Sequence, residues 1–104
     1  MLTLDLIKTL VTEWAEEREM FHPVHGTSPF AQFEKLLEET TELFSALRGI
    51  DLPDVEDAIG DCMVVLTILA ESAGTDITKS YNRAYNQIKD RKGKMLNGVF
   101  VKEG

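Results

Sequence analysis

The run Ala58-Ile59-Gly60-Asp61-Cys62-Met63-Val64-Val65-Leu66-Thr67-Ile68-Leu69-Ala70 is apolar nearly throughout and is broken by one carboxylate. Read as a helix at about 100° per residue, it puts Asp61 on one stripe with Val65 and Ile68, and with Asp57 one turn earlier. A lone carboxylate among buried aliphatics is costly unless it is paired, protonated or bound to a metal. About twenty residues upstream lies Glu38-Glu39-Thr40-Thr41-Glu42, also helical in pattern. Two helices that aim carboxylates at a common space describe a divalent-metal site.

Around that pair the pattern predicts four helices. The first runs from Thr3 to about Met20, with Leu4, Ile7, Leu10, Val11, Trp14 and Ala15 at helical spacing. Phe21 to Pro29 is a loop, and Ser28 before Pro29 is a strong helix opening. The second helix reaches from about Pro29 to Arg48, with Gly49 as its expected C′ residue. Phe30, Phe33, Leu36, Leu37, Leu43, Phe44 and Leu47 gather on one side of it, and Gln32, Lys35, Glu38, Glu39 and Glu42 on the other. The third starts at Asp51-Leu52-Pro53-Asp54, reaches about Ser72, and should be the most buried. Thr75 or Asp76 caps a fourth through about Asp90, with Ile77, Tyr81, Ala84, Tyr85 and Ile88 as its inner face. After Gly93, Asn97-Gly98 signals a tight hairpin, which is marginal alone and should pack on the domain or on a second subunit. Short connections favour antiparallel neighbours, so the expected architecture is an all-α four-helix bundle in one domain, residues 1–104, with a short extended tail or hairpin.

The net charge of −7 is unevenly spread. Lys79, Arg83, Lys89, Arg91, Lys92 and Lys94 fall within sixteen residues, opposed there only by Asp90. Either this is a solvated basic face, or it is a phosphate-binding end opposite an acidic one. The overall acidity argues against nucleic acid as a partner. The single cysteine, Cys62, excludes an internal disulfide and a Cys/His zinc site, and reads as a small buried hydrophobe. Neither a signal peptide nor a membrane span is expected, and a reducing, cytoplasmic setting is the default.

Glu38, Glu39 and Glu42 lie within about 100° of arc on their helix, and Asp57 and Asp61 repeat an i, i+4 spacing on the next. Like charges about 4 Å apart repel by several kcal/mol near a protein surface, and a divalent cation reverses that sign. Ligand oxygens without His or Cys select a hard ion, Mg²⁺ or Mn²⁺. Plainer readings stand beside this one. The three glutamates also suit a solvated face softened by Lys35, Asp61 a carboxylate neutralised by Lys89 or Arg83, and Asp57 a first-turn residue on the helix dipole. Four or five acids in one place suit two metals or one acid acting as a base, the chemistry of phosphoanhydride hydrolysis.

Lys35-Leu36-Leu37-Glu38-Glu39-Thr40-Thr41-Glu42-Leu43, followed by Ile59-Gly60-Asp61 and an aliphatic helix, resembles the MazG-like nucleotide pyrophosphohydrolases. These are all-α enzymes that pair Glu-x-x-Glu on one helix with Glu-x-x-Asp on the next. Asp57 to Asp61, the segment Ile88 to Met95, the tail Asn97 to Lys102, and Trp14, Arg18 and Gln32 resemble a small single-domain branch of that family. The resemblance implies Mg²⁺-dependent cleavage of a nucleoside triphosphate at the α–β bond, and association into homodimers or homotetramers with pockets completed across subunits. It carries the metal-ligand role onto Glu39, Glu42 and Asp61. At position 58 the family's glutamate is replaced by Ala58, and Asp57, about 40° from Asp61 around the helix, is the substitute. Glu38 takes a ligand or base role, so Glu38 and Glu39 are the catalytic candidates. The substrate-binding candidates are Trp14, Gln32, Lys35, Asn82, Asn86, Lys89 and Arg91. Trp14 stacks a base or fills the core, and His22 and His25 border the pocket or are solvated. Two rival readings remain, a phosphoribosyl-ATP or dUTP hydrolase on the same scaffold, and a helical interaction module that has lost the chemistry.

Overall fold

The computed structural model describes residues 1–104 as α1 (Leu4–Glu17), α2 (Pro29–Gly49), α3 (Leu52–Ser72), α4 (Ile77–Ile88), β1 (Gly93–Leu96) and β2 (Val99–Lys102). Each helix opens on a side-chain cap. Thr3, Ser28, Asp51 and Asp76 accept from the backbone N–H of Leu6, Ala31, Asp54 and Lys79 at 3.2, 3.1, 3.3 and 2.8 Å. Pro29 follows Ser28 as expected, and Asp76 rather than Thr75 caps α4.

The helix ends depart from expectation. α1 stops at Glu17, because Glu19 turns to φ 59° and Met20 N–H returns to the Ala15 carbonyl at 3.0 Å. This closure normally uses glycine, so the sequence carries no signal for it. α2 ends one residue later than expected: Gly49 is helical, and the β-branched Ile50 takes the left-handed position at φ 55°. α4 gives way at Lys89.

The long helices α2 and α3, joined by two residues, form the central antiparallel pair. α1 and α4 pack on α3 and on each other, and neither reaches α2. α4 leaves α3 at 100°, so within one chain the bundle stays open along the outer side of α2. The hairpin forms in the register Gly93↔Lys102 through Leu96↔Val99, with Asn97 and Gly98 at φ 51° and 83°. A side chain on Gly93 would run into the Val101 carbonyl and the Phe100 ring. The hairpin touches none of the helices.

The core is small, and α3 supplies most of it, as expected. Eight residues are buried, and Ala58, Val65, Thr67, Ile68 and Ala70 are five of them. One expected face is corrected. Tyr81, Tyr85 and Ile88 of α4, read as an inner face, are each more than half exposed. On α2 the covered stripe draws on both of the sides read from the sequence, and Lys35, Glu38 and Glu42 stay exposed. Gln32 and Glu39 are buried against α3 with Leu36, Leu43 and Ala46 partly covered, while Phe30, Phe33, Leu37, Phe44 and Leu47 face solvent. No single helix is long and apolar enough to cross a membrane.

Candidate metal centre

Glu39 and Glu42 are one turn apart on α2, and Asp61 faces them from α3. One carboxylate oxygen from each lies within 4.8 Å of the other two. Their surroundings differ. Glu39 is buried at the helix seam, whereas Glu42 and Asp61 are exposed. Asp61 is therefore not enclosed by aliphatics as its sequence context implied, but lies where the α2–α3 seam opens.

The charge balance of this group is unfavourable on its own. Lys35 Nζ approaches Glu39 Oε1 at 3.5 Å and Glu38 Oε2 at 3.8 Å. Glu39 Oε2 is fully inaccessible and has no hydrogen-bond partner. A buried carboxylate oxygen without a partner costs free energy that a cation bound there offsets. The Glu42 carboxyl is held above its ordinary range, first by the Glu39 charge, then by a hydrogen bond to that side chain, with a smaller push from Asp61. Burial raises the Cys62 thiol, and Glu39, Asp61 and Glu42 add to the rise. Cys62 is only partly buried, less enclosed than expected. Three oxygen donors with an orphaned buried oxygen fit a hard divalent cation.

The plainer readings of these acids fare unevenly. Lys35 does pair with Glu38 and Glu39. Neither Lys89 nor Arg83 forms an ion pair with Asp61, and the ion pairs of the chain involve no residue beyond Asp76. Asp57 lies outside the group of three but shares with Glu42, Asp61 and Asp54 a cleft of about 340 Å³. Asp54 is an addition the sequence reading missed, although Asp54, Asp57 and Asp61 recur at i, i+3, i+7 on one stripe of α3. Ala58 is buried in the wall of the same cleft. Glu38 is exposed and turned to Lys35.

The remaining candidates scatter within one chain. A larger cleft of about 650 Å³ begins at Asp57 and Asp61 and continues over Gly60 between apolar side chains of α1 and α3, with Lys8 on its wall. Trp14 is not in it. Its indole carries the Arg18 guanidinium at 4.3 Å and lines a wholly apolar groove with Leu10 that adjoins the cleft across Ile7, Val11 and Val64. Gln32 spends its amide on Thr27 Oγ1 at 2.9 Å, tying the loop to α2. Asn82 lines an apolar groove with Leu4 and Tyr85. Asn86, Lys89 and Arg91 are exposed. In the loop, His22 and His25 stack at 3.8 Å, and His25 Nε2 meets Glu19 at 3.3 Å.

The site is a group of three carboxylates shared between two helices of an all-α chain, and comparison with known proteins gives its family. Residues 28–96 match the MazG nucleotide pyrophosphohydrolase domain. The chain belongs to that family. It is also 44% identical over 72 residues to an "uncharacterized 18.2 kDa protein in rep-hol intergenic region" of Haemophilus phage HP1 (strain HP1c1). That match covers 68% of this chain and 41% of the relative, so the chain spans about two fifths of the relative's length. No solved structure matches.

Proposed function

We propose that this chain is a Mg²⁺-dependent nucleoside triphosphate pyrophosphohydrolase, converting a ribo- or deoxyribonucleoside triphosphate and water to the monophosphate and pyrophosphate. The observation that carries the proposal is the convergence of Glu39, Glu42 and Asp61 with an unpartnered buried oxygen on Glu39, in a chain of the MazG family.

Glu39, Glu42 and Asp61 would hold the cation, Mg²⁺ or Mn²⁺, and Asp57 would extend the set from the cleft wall. A bound divalent ion supplies charge neutralisation at the phosphoryl oxygens and a more acidic water. Of the chain's own groups, Glu38 and Glu39 would serve as the bases that accept a proton from the attacking water. Lys35, beside both, balances negative charge on the phosphate side. The 650 Å³ cleft, acidic at one end and apolar beyond, suits a nucleoside next to a metal-bound phosphate chain. Trp14, Gln32, Asn82, Asn86, Lys89 and Arg91 stay in the reading as contacts, those of α4 through association of two or four copies. A cytoplasmic setting, with neither nucleic acid nor membrane as partner, belongs to the same reading.

Ala58 favours a second reading, a helical module that has lost its chemistry, since the buried position where the family carries a glutamate has no ligand; a related phosphoribosyl-ATP or dUTP hydrolase on the same scaffold is the other alternative. Pyrophosphate release from a panel of nucleoside triphosphates, phosphoribosyl-ATP and dUTP, with Mg²⁺ and with Asp61→Asn in parallel, separates these. Metal-dependent release that the substitution abolishes supports the hydrolase, and the panel ranks the substrates. A folded chain that turns over nothing sinks the hydrolase and leaves the module.

A further inference from the structure

Gly60 stands in the interior of α3, away from both ends of the helix. A glycine in such a place weakens a helix relative to alanine. Structural reasons that would offset this are missing. Its backbone is ordinary, since the glycines at positive φ are Gly74 and Gly98. It neither caps nor ends the helix. A Cβ built on it would meet nothing within 4 Å, so no neighbouring element needs the close approach. Gly26 and Gly93 are the contrast, because a Cβ on either would run into backbone.

What Gly60 does border is the larger cleft, of about 650 Å³. Asp57, Gly60, Asp61 and Val64 share one stripe of α3 along its floor, and Ile7 and Val11 of α1 stand among its walls. Asp57 and Asp61 also line the smaller cleft with Glu42, so they form the ridge between the two. Beyond the ridge the lining turns apolar at Met63 and Val64, and Val64 is one turn, about 6 Å along the axis, from Gly60. The bare backbone of Gly60 therefore lies where the acidic end of the cleft meets the apolar end.

We propose that Gly60 is the seat of the substrate's sugar and sets how much room the nucleoside has. The inference rests on the hydrolase reading for the class of ligand, and it adds the contact that admits that ligand. In a nucleoside triphosphate the sugar joins the phosphate chain to the base. The same order runs along the cleft, from carboxylates to bare backbone to aliphatic side chains. With no Cβ at position 60 the sugar ring packs directly on the α3 backbone. A methyl group there would take up the space the ring needs and disturb nothing in the chain itself. It should therefore stabilise the free protein and weaken nucleotide binding at once, the exchange expected where a helix keeps a weak residue for function. A residue kept only for packing would lose stability on the same substitution.

Calorimetric titration of the full chain with Mg²⁺ and a hydrolysis-resistant α,β-imido nucleoside triphosphate tests it. Inorganic triphosphate, which carries the phosphates without sugar or base, is titrated in parallel. Gly60→Ala should weaken the nucleotide by about five- to tenfold, and Gly60→Leu by about 100-fold or more. Neither should change the affinity for inorganic triphosphate by more than about twofold. Without ligand, Gly60→Ala should raise the melting temperature by several degrees. Four results would each overturn the seat: a wild type that binds no nucleotide, a Gly60→Leu protein that binds it as the wild type does, equal losses for the two probes, or a changed sedimentation of Gly60→Ala, which would mean that another chain packs on this backbone. Turnover is not the readout. A chain that shows the expected losses yet hydrolyses nothing sinks the hydrolase and keeps the seat, whereas a hydrolysing chain indifferent to Gly60→Leu sinks the seat alone.

Discussion

Lys35 and Glu39 stand one turn apart on α2 and meet at 3.5 Å through Glu39 Oε1, which leaves Glu39 Oε2 buried and unpartnered. One lysine thus faces Glu38, Glu39 and, through Glu39, the negative charge of Glu42 and Asp61. The α2–α3 seam is built with more negative charge than the chain itself balances, and the pH and metal dependence of its stability should follow from that imbalance.

Asp61→Asn removes one of the three converging carboxylates without changing side-chain size. In metal-free buffer the repulsion among the acids falls, so the melting temperature should rise slightly. Mg²⁺ should raise the melting temperature of the wild type through preferential binding to the folded state, and should do so much less in the variant. Pyrophosphate release should drop by about 100-fold or more, as expected when a metal ligand is lost. Equal Mg²⁺ shifts in the two proteins would exclude Asp61 from the centre. Calorimetric melting with and without Mg²⁺, run beside the release assay, measures all three effects.

Glu42 gives the pH dependence its sign. The Glu39 charge and hydrogen bond lift its carboxyl above the unfolded value of 4.5. The folded chain therefore binds more protons than the unfolded one in the interval between that value and the raised one. Metal-free stability should fall as the pH climbs through this interval, the reverse of an ordinary salt-bridged carboxylate. Glu42→Gln should flatten that part of the profile, and saturating Mg²⁺ should do the same in the wild type. Urea titrations at closely spaced pH values from about 4 upward test this directly.

Ile50 holds a left-handed backbone conformation at φ 55° with a β-branched side chain exposed to water. Asparagine tolerates that region better, and nothing packs on the isoleucine to offset its strain. Ile50→Asn should therefore stabilise the chain by about 0.5–1 kcal/mol and raise the melting temperature by several degrees for a domain this size. A loss of stability would mean that Ile50 is covered in the assembled protein.

Local chemistry made much of the fold legible in the sequence. Ser28-Pro29 and Asn97-Gly98 act within four residues, and both sit where their turn chemistry requires. Helical spacing marked five acids, Glu38, Glu39, Glu42, Asp57 and Asp61, as a group, and the family resemblance singled out Glu39, Glu42 and Asp61, which are the three that converge. Two features depend on interactions that a spacing rule does not contain. The end of α1 at Glu19 is set by a hydrogen bond from Met20 to Ala15, not by a residue type. Which side of α2 is covered was left open by the pattern, because Gln32, Leu36, Glu39, Leu43 and Ala46 lie one position from the more apolar Phe30, Phe33, Leu37, Phe44 and Leu47. The more polar stripe, Gln32 and Glu39 included, wins contact with α3, and the more apolar one is left outside. A hydrophobicity pattern marks faces that seek cover without saying whether the same chain supplies it.

Ala58 is the departure from the family's motif with the clearest energetic consequence. It is 5% exposed in the wall that also holds Glu42, Asp57 and Asp61. Ala58→Glu would bring a fourth carboxylate into a place already short of positive charge. Without metal the variant should lose about 1–3 kcal/mol, the range for burying an unpaired charged group that can partly reach solvent. With Mg²⁺ the added ligand should recover that loss, so the metal-induced rise in melting temperature should exceed that of the wild type, and pyrophosphate release should increase several-fold. The opposite result is equally informative. A variant that binds Mg²⁺ more tightly yet turns over more slowly would indicate that Asp57, on the rim of the cleft, supplies the fourth oxygen. The small residue at 58 would then keep that oxygen free to reach the ion, and Asp57→Asn should abolish release in the wild type while leaving the Ala58→Glu protein active.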